Sequence, residues 1–313
     1  MHVAPNFETL LPKPSNPQKA AIRDKLVEVL SSQGEILPSA NSPRGKLWHL
    51  VNSPESTIDD CEEVILLDTA LASRIFKVAN SGAYGPKTDN ISNAIRRLGL
   101  KFIREQVFNA GIFKQYSGWT LPPEWDLFWL RSIFTAKLCE RISAKFGATN
   151  GSEYLVGLIH DIGWLFLATY FPEEFTHIFT CGSPVGQAEK QFLPFDHAEI
   201  SSVIALRAEL PLRAFNAILH HHDTGVLDLG SIAPQKSPRF LGIILSVCDR
   251  IADCHQMDMF APATRTMEQI QQSPEVQWLG EFGNIDDLAT VAREEFERSE
   301  QIFNAFFSNR QFT

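Results

Sequence analysis

The sequence predicts an all-α fold, and three observations carry that prediction. Apolar residues recur at three- and four-residue spacing in one segment after another, the pattern of helices with one buried face. Short breaks containing Pro or Gly separate those segments. No stretch alternates apolar and polar residues with the period of two that a half-buried strand needs. Successive helices joined by short breaks imply helix-on-helix packing.

Residues 1–17 read as an extended lead. From Gln18 to Ser31, Ala21, Ile22, Leu26, Val29 and Leu30 share one helical face, and Gly34 ends the helix. A loop with Pro38, Pro43 and Gly45 follows. Ser56 is the expected N-cap of a helix to about Asp68. The next helix, Ala70 to Asn80, turns Leu71, Ile75, Val78 and Ala79 inward and breaks at Gly82 and Gly85-Pro86. Asn90 or Ser92 opens a short helix stopping at Leu98-Gly99, and Lys101 to Tyr116 is helical again. Pro122-Pro123 divides the chain. Beyond it, Glu124 to Phe146 reads as a long amphipathic helix, and Ser152 caps a strongly apolar one from Glu153 to Tyr170, stopped by Pro172. Residues 180–195 read as loop. Asp196 and Glu199 have capping-box spacing and start a helix to about Leu210. Pro211 suits the first turn of a helix ending in His220-His221-His222-Asp223. A Gly/Pro/Ser loop over 225–238 leads to a helix from Phe240 to His255, and the acidic tail is helical over 263–272 and 284–308. The turn Asn80-Ser81-Gly82-Ala83-Tyr84-Gly85 suits a helix C-cap better than a ligand loop, because Asn and Gly accept the backbone angles needed there.

A chain of 313 residues with 44% hydrophobic content can bury one substantial core, or a core and a smaller lobe. Its net charge of -9 disfavours a general nucleic-acid binder, since phosphate contact needs clustered Lys and Arg. The N-terminus lacks the apolar core of a signal peptide, and no apolar run is long enough for a membrane span. The five cysteines form no C-x-x-C pair, which favours buried thiols in a reducing compartment over disulfides or structural zinc. A cytoplasmic location is expected.

The residues that point to chemistry are acids and imidazoles set in apolar helices. His160-Asp161 stands inside Gly157-Leu158-Ile159-His160-Asp161-Ile162-Gly163. A bare buried carboxylate costs several kcal/mol unless paired or metal-bound, roughly as for any ion moved out of water. Asp161 therefore demands a partner. His197 lies at a helix start, His221 and His222 at a helix end, and Asp249 on the apolar helix Leu245–Asp253. Each has a plain structural reading: a backbone-bonded His-Asp pair, a first-turn polar residue, a solvated helix end favoured by the dipole, and an acid paired with Arg250 or another arginine. Together, in the order HD, H, HH, D, they suit an ion of the Fe, Mn, Zn or Ni type.

That order resembles the HD superfamily of metal-dependent phosphohydrolases, including its HD-GYP branch. The front half narrows the resemblance. Ile36-Leu37-Pro38, Leu66 to Leu71, Val78 to Gly85 and Ile91 to Gly99 resemble, in sequence, the segments of the HDOD family. Trp129-Leu130-Arg131-Ser132 and Leu206 to His222 look like its later elements. The likeness runs from about 36 to 225. It implies an HD-domain-like helical bundle with an additional N-terminal lobe: a lead and helix over 1–35, the lobe over 36–120, the HD-like core over 121–257 and a helical tail over 258–313.

The resemblance also implies a ligand set of His160, Asp161, His197, His221, His222 and Asp249. Arg131 stands where HD hydrolases have their first ligand His, just before Ser132. Trp164, after Gly163, replaces the Lys of the HD-GYP branch, and its GYP loop is missing after His222. HDOD proteins serve as output or regulatory modules in bacterial signalling, so signalling proteins are the expected partners and a degenerate metal site without turnover the expected state. The alternative is a phosphohydrolase acting on a phosphomonoester, nucleotide or cyclic dinucleotide. In it Asp161 bridges two ions, His160 and Asp249 complete one, His197, His221 and His222 hold the other, and Arg131 contacts the substrate phosphate. A third reading is a helical adaptor that binds no ion.

Overall fold

The computed structural model describes residues 11–32, 57–66, 69–80, 87–100, 102–103, 125–147, 152–207, 210–225, 237, 239–255, 257 and 265–307. Among them there is no strand, and the all-α expectation holds. The chain divides into two compact units, Met1–Gly34 with Pro123–Ser299, and Glu35–Pro122 with Glu300–Thr313.

The smaller unit contains α1's neighbours in sequence: α2 (Ile58–Leu66) and α3 (Thr69–Ala79), α1 itself (Pro17–Ser32) belonging to the larger one. A further helical segment covers 91–100. Cys61, Ile65, Leu71, Ile75, Ala79, Ile91, Ala94, Ile95 and Ile103 form its dry core. Thr57, not Ser56, caps α2: its hydroxyl accepts from the Asp60 amide at 3.2 Å while Asp60 accepts from the Thr57 amide at 2.8 Å. Asn90 caps the next segment, accepting from the Asn93 amide at 2.8 Å. That segment runs to residue 100, past the expected stop, with Gly99 at φ +82°, where only glycine is unstrained. The Asn80 side chain bonds the Thr88 amide and carbonyl, at 2.7 and 2.9 Å. Residues 81–86 and most of the expected 101–116 helix lie outside the described residues.

The larger unit is built on α4 (Trp125–Lys145), packed along α5 (Glu153–Ile159) and α11 (Phe240–Cys254). Against α5 and α11 lies α10 (Leu212–Leu219); α9 (His197–Arg207) packs on α10 and on α6 (Ile162–Tyr170), and α7 (Pro172–Thr180) packs on α6 and on α8 (Val185–Phe192). The tail adds α12 (Met267–Gln271), α13 (Pro274–Gly280) and α14 (Leu288–Phe307), the last belonging to this unit as far as Ser299. Two glycines set the closest approaches. A Cβ at Gly157 would lie 2.5 Å from the Ala136 Cα, so α5 meets α4 backbone to backbone. At Gly163 it would lie 2.2 Å from the His197 carbonyl oxygen, so α6 meets the start of α9 equally closely. Phe134, Ile159, Phe166, Ile204, Ile218 and Ile244 fill the interior.

Four expectations are corrected here. The apolar helix over 153–170 is two helices, broken at His160-Asp161. Residues 180–195 contain α8, and α13 occupies part of the tail where no helix was expected. Pro211 precedes α10 as its N-cap instead of lying in its first turn. The Asp196/Glu199 capping box is present in both directions, each bond 2.8 Å long. No single helix among the described residues is long and apolar enough to cross a membrane. Among the cysteines, Cys61, Cys139 and Cys248 are buried, Cys254 half-buried and Cys181 exposed, all as free thiols.

Candidate metal centre

The break between α5 and α6 creates the site. His160 ends one helix and Asp161, at φ -104° and ψ 8°, begins the next. The Asp161 side chain caps no backbone amide, so its carboxylate is left for the interior. His160 is fully buried, with Nδ1 2.8 Å from the Gly157 carbonyl oxygen. A carbonyl only accepts, so Nδ1 carries a hydrogen and Nε2 faces inward. There Nε2 lies 3.0 Å from Asp249 Oδ1 and 3.2 Å from Asp161 Oδ2. With acceptors at both nitrogens the ring is an imidazolium: burial opposes the charge, but Asp161 and Asp249 carry its pKa up to about 10.

His221 has the same tautomer lock, Nδ1 lying 2.7 Å from the Ile218 carbonyl oxygen. Its Nε2 is buried and has no hydrogen-bond partner; Asp161 Oδ1, 3.8 Å away, likewise makes no hydrogen bond. Burial and the charge on His160 hold the His221 pKa down to about 4. The ring is therefore neutral, with a lone pair aimed into the centre.

His197 is oriented by Glu189 of α8. One oxygen, Oε1, accepts from the His197 amide at 2.7 Å and from its Nδ1 at 2.8 Å. Trp164 stacks on the ring at 4.3 Å between centroids. His197 Nε2 lies 3.5 Å from Asp161 Oδ1 and 2.9 Å from Nε2 of His222. Burial works against a charge on His197, but Glu189 and Asp161 raise its pKa to about 9.

Arg131 is the other cation. It is 8% exposed, on α4, facing Asp249 and Asp253 one turn apart on α11. Nη2 donates to Asp249 Oδ1 at 2.5 Å, Nη1 lies 2.7 Å from Asp253 Oδ1, and Nε lies 3.6 Å from Asp161 Oδ2. Burial raises the Asp249 pKa, but Arg131 and His160 outweigh it and hold the carboxylate well below its usual range. The arginine partner of Asp249 is thus Arg131, while Arg250 makes a two-pronged pair with Glu275 at 2.7 and 2.9 Å.

The structure brings all six expected residues into one centre. Two groups of donor atoms lie close enough for a common ion: His197, His221 and His222; and His160, Asp161 and His221. The distances suit one. Two ligands each about 2.1 Å from an ion lie roughly 3.0 Å apart at a right angle and roughly 3.4 Å at the tetrahedral angle. The separations of 2.9, 3.5 and 3.8 Å among His222, His197, His221 and Asp161 span those values. Two orphaned buried atoms, Asp161 Oδ1 and His221 Nε2, mark where it would bind. The residues present therefore fit a divalent metal. A cavity of about 470 Å³ reaches the centre, lined by Phe128, Trp164, Val185, Lys190, His222 and Asp253 among others. Glu189 and Asp253 carry structural roles that the sequence reading did not assign.

The HDOD domain model matches residues 37–224. An uncharacterized protein of Treponema pallidum is 23% identical over 212 residues, which span 64% of this chain and 40% of that protein. Among solved structures, an HDOD domain protein of unknown function from Geobacter sulfurreducens superposes with a TM-score of 0.69 at 21% identity, covering 93% of this chain and 97% of its own. A protein provisionally named a phosphohydrolase from Shewanella amazonensis SB2B gives 0.68 at 20% identity, covering 90% and 98%. One provisionally named a signal transduction protein from Marinobacter aquaeolei VT8 gives 0.61 at 17%, covering 97% and 67%. These structural likenesses show the fold, and the match to the domain model, over most of the chain's length, shows the family: the chain belongs to the HDOD family.

Proposed function

We propose that this chain is a regulatory module of bacterial signalling, acting in the cytoplasm on other signalling proteins, whose centre holds one divalent cation and turns over no phosphoester. The observation that carries this reading is the buried Arg131 guanidinium among Asp161, Asp249 and Asp253. Two-ion hydrolysis needs two metal positions and an open coordination site. Here two of the acids that a second ion would need are committed to an arginine. His197, His221 and His222 would hold the ion, with Asp161 Oδ1 beside His197 and His221, while His160 and Asp249 complete the surroundings of Arg131. Imidazole with one carboxylate suits Fe, Mn, Zn or Ni. Such an ion would supply a Lewis-acidic positive charge and staple α6, α9 and the end of α10 together. The test is turnover: purified protein with added Mn²⁺ or Zn²⁺, offered bis(p-nitrophenyl) phosphate, nucleotides and cyclic dinucleotides. The expected result is no activity above the metal alone. Metal-dependent turnover abolished by His160→Ala would overturn the proposal.

One observation favours the second reading, a metal-dependent phosphohydrolase. The cavity of about 470 Å³ opens onto Asp161, His197 and His222, and has the size of a small-molecule site. The same assay decides between the two.

A further inference from the structure

Arg131 does more than remove a ligand. Its guanidinium, the His160 ring and three carboxylates form a closed shell contributed by α4, α11 and the α5–α6 break. Asp249 Oδ1 is shared, 2.5 Å from Arg131 Nη2 and 3.0 Å from His160 Nε2. Asp161 Oδ2 is shared in the same way, 3.2 Å from His160 Nε2 and 3.6 Å from Arg131 Nε. Asp253 closes the outer side at 2.7 Å from Nη1. The side chains are 0–22% exposed, so solvent screens these charges weakly. Three carboxylates ring the guanidinium, each against a different nitrogen, and such surroundings require a positive charge among them. The chain supplies it covalently.

We propose that the Arg131 guanidinium is a built-in cation that occupies a second divalent-ion site formed by His160, Asp161, Asp249 and Asp253, and that removing the guanidinium alone lets the chain take up one additional divalent ion. This deepens the one-ion reading without depending on it, because it concerns the difference between variant and wild type. The guanidinium fixes this corner in a metal-free form. It binds irreversibly, since it is tethered, and cannot be stripped by chelators. The occupant of the emptied corner would be a hard or borderline ion, because carboxylate oxygens outnumber imidazole there; Mn²⁺ meets both ligand types.

The test is Mn²⁺ stoichiometry on metal-free full-length chain, by calorimetric titration and by elemental analysis after desalting. Arg131→Ala and Arg131→Met, the second retaining side-chain volume, should each bind one equivalent more than wild type. Arg131→Lys, which keeps a tethered cation, should bind the wild-type number. Adding Asp253→Ala to Arg131→Ala should weaken the added ion at least about tenfold, the scale of losing one ligating or supporting group. Low-millimolar guanidinium chloride should compete with the added ion and leave any wild-type ion in place. Should the neutral variants fold only when Mn²⁺ is present, with the helical signal lost on chelation, the same site is reported through stability. Equal stoichiometry in wild type and both neutral variants would overturn the proposal, as would neutral variants that stay unfolded with and without Mn²⁺. A wild-type chain that binds no ion, beside variants that bind one, would refute the one-ion reading and uphold this inference.

Discussion

Glu189 Oε1 accepts both the main-chain amide and the Nδ1 hydrogen of His197, at 2.7 and 2.8 Å, so a single oxygen fixes where α9 begins and which way its first ring points. Glu189 is 2% exposed and comes from α8, the helix that also walls the cavity. Ordering of α8 is thereby tied to the geometry of the imidazole cluster.

Glu189→Ala should weaken divalent-ion binding about 10- to 100-fold, the usual cost of losing the group that orients a ligating histidine. Glu189→Gln keeps one accepting oxygen and should fall between the two. Zinc competition against a chromogenic chelator measures both.

Gly163→Ala should destabilise the fold by about 1–3 kcal/mol, the range for overpacking. Its new Cβ would press on the His197 carbonyl oxygen, which is backbone and cannot swing away. Gly157→Ala should behave alike by forcing α5 off α4 at Ala136. Denaturant midpoints report the losses, and the Gly163 variant should also lose metal affinity because His197 shifts with its carbonyl.

The pH dependence of the metal-free protein follows from His160. Its pKa is near 6.5 when unfolded and about 10 when folded. A group raised on folding contributes stability that is complete below the unfolded value and disappears as pH rises through the folded one. Stability should therefore decline between about pH 6.5 and pH 10, by an amount on the order of a few kcal/mol. The depressed pKa of Asp249 acts at the other end, its contribution present above about pH 4 and lost on further acidification. Urea midpoints from pH 6 to 10 test the first limb, and His160→Gln should reduce it to the part that His197, raised to about 9, contributes.

Arg141 ties α4 to α14, bonding Glu294 at 2.5 Å and Glu295 at 2.6 Å. Glu295 is 2% exposed, so its partner matters more than a surface pair would. Arg141→Ala should cost about 1–2 kcal/mol, moderated because Arg298 also reaches Glu295 at 2.7 Å. Thermal melts against Arg298→Ala separate the two contributions.

The sequence made parts of this centre readable for a physical reason. An acid at 161 or 249 amid leucine and isoleucine has to find a partner, and the capping box at Asp196 announces where α9 starts. The helix break at 160–161 was hidden because apolar residues continue on both sides of it and neither broken position is Gly or Pro. Glu189 was hidden by its company. Gln187, Lys190 and Gln191 make α8 look like a solvated loop, and only tertiary packing buries that one carboxylate. Asp253 was visible as a residue but not as a partner, because its contact with Arg131 joins positions far apart in the chain. Thr57 and Ser56 are adjacent and chemically alike, so the choice of cap rested on local geometry.

On the proposed reading, an imidazole cluster beside Asp161 holds one ion while Arg131 stands in for another. Elemental analysis of the purified wild-type chain, after dialysis against a stoichiometric excess of metal and desalting, counts the ions. One transition-metal equivalent per chain is expected, lost in His221→Ala. Two equivalents, or none, would contradict it.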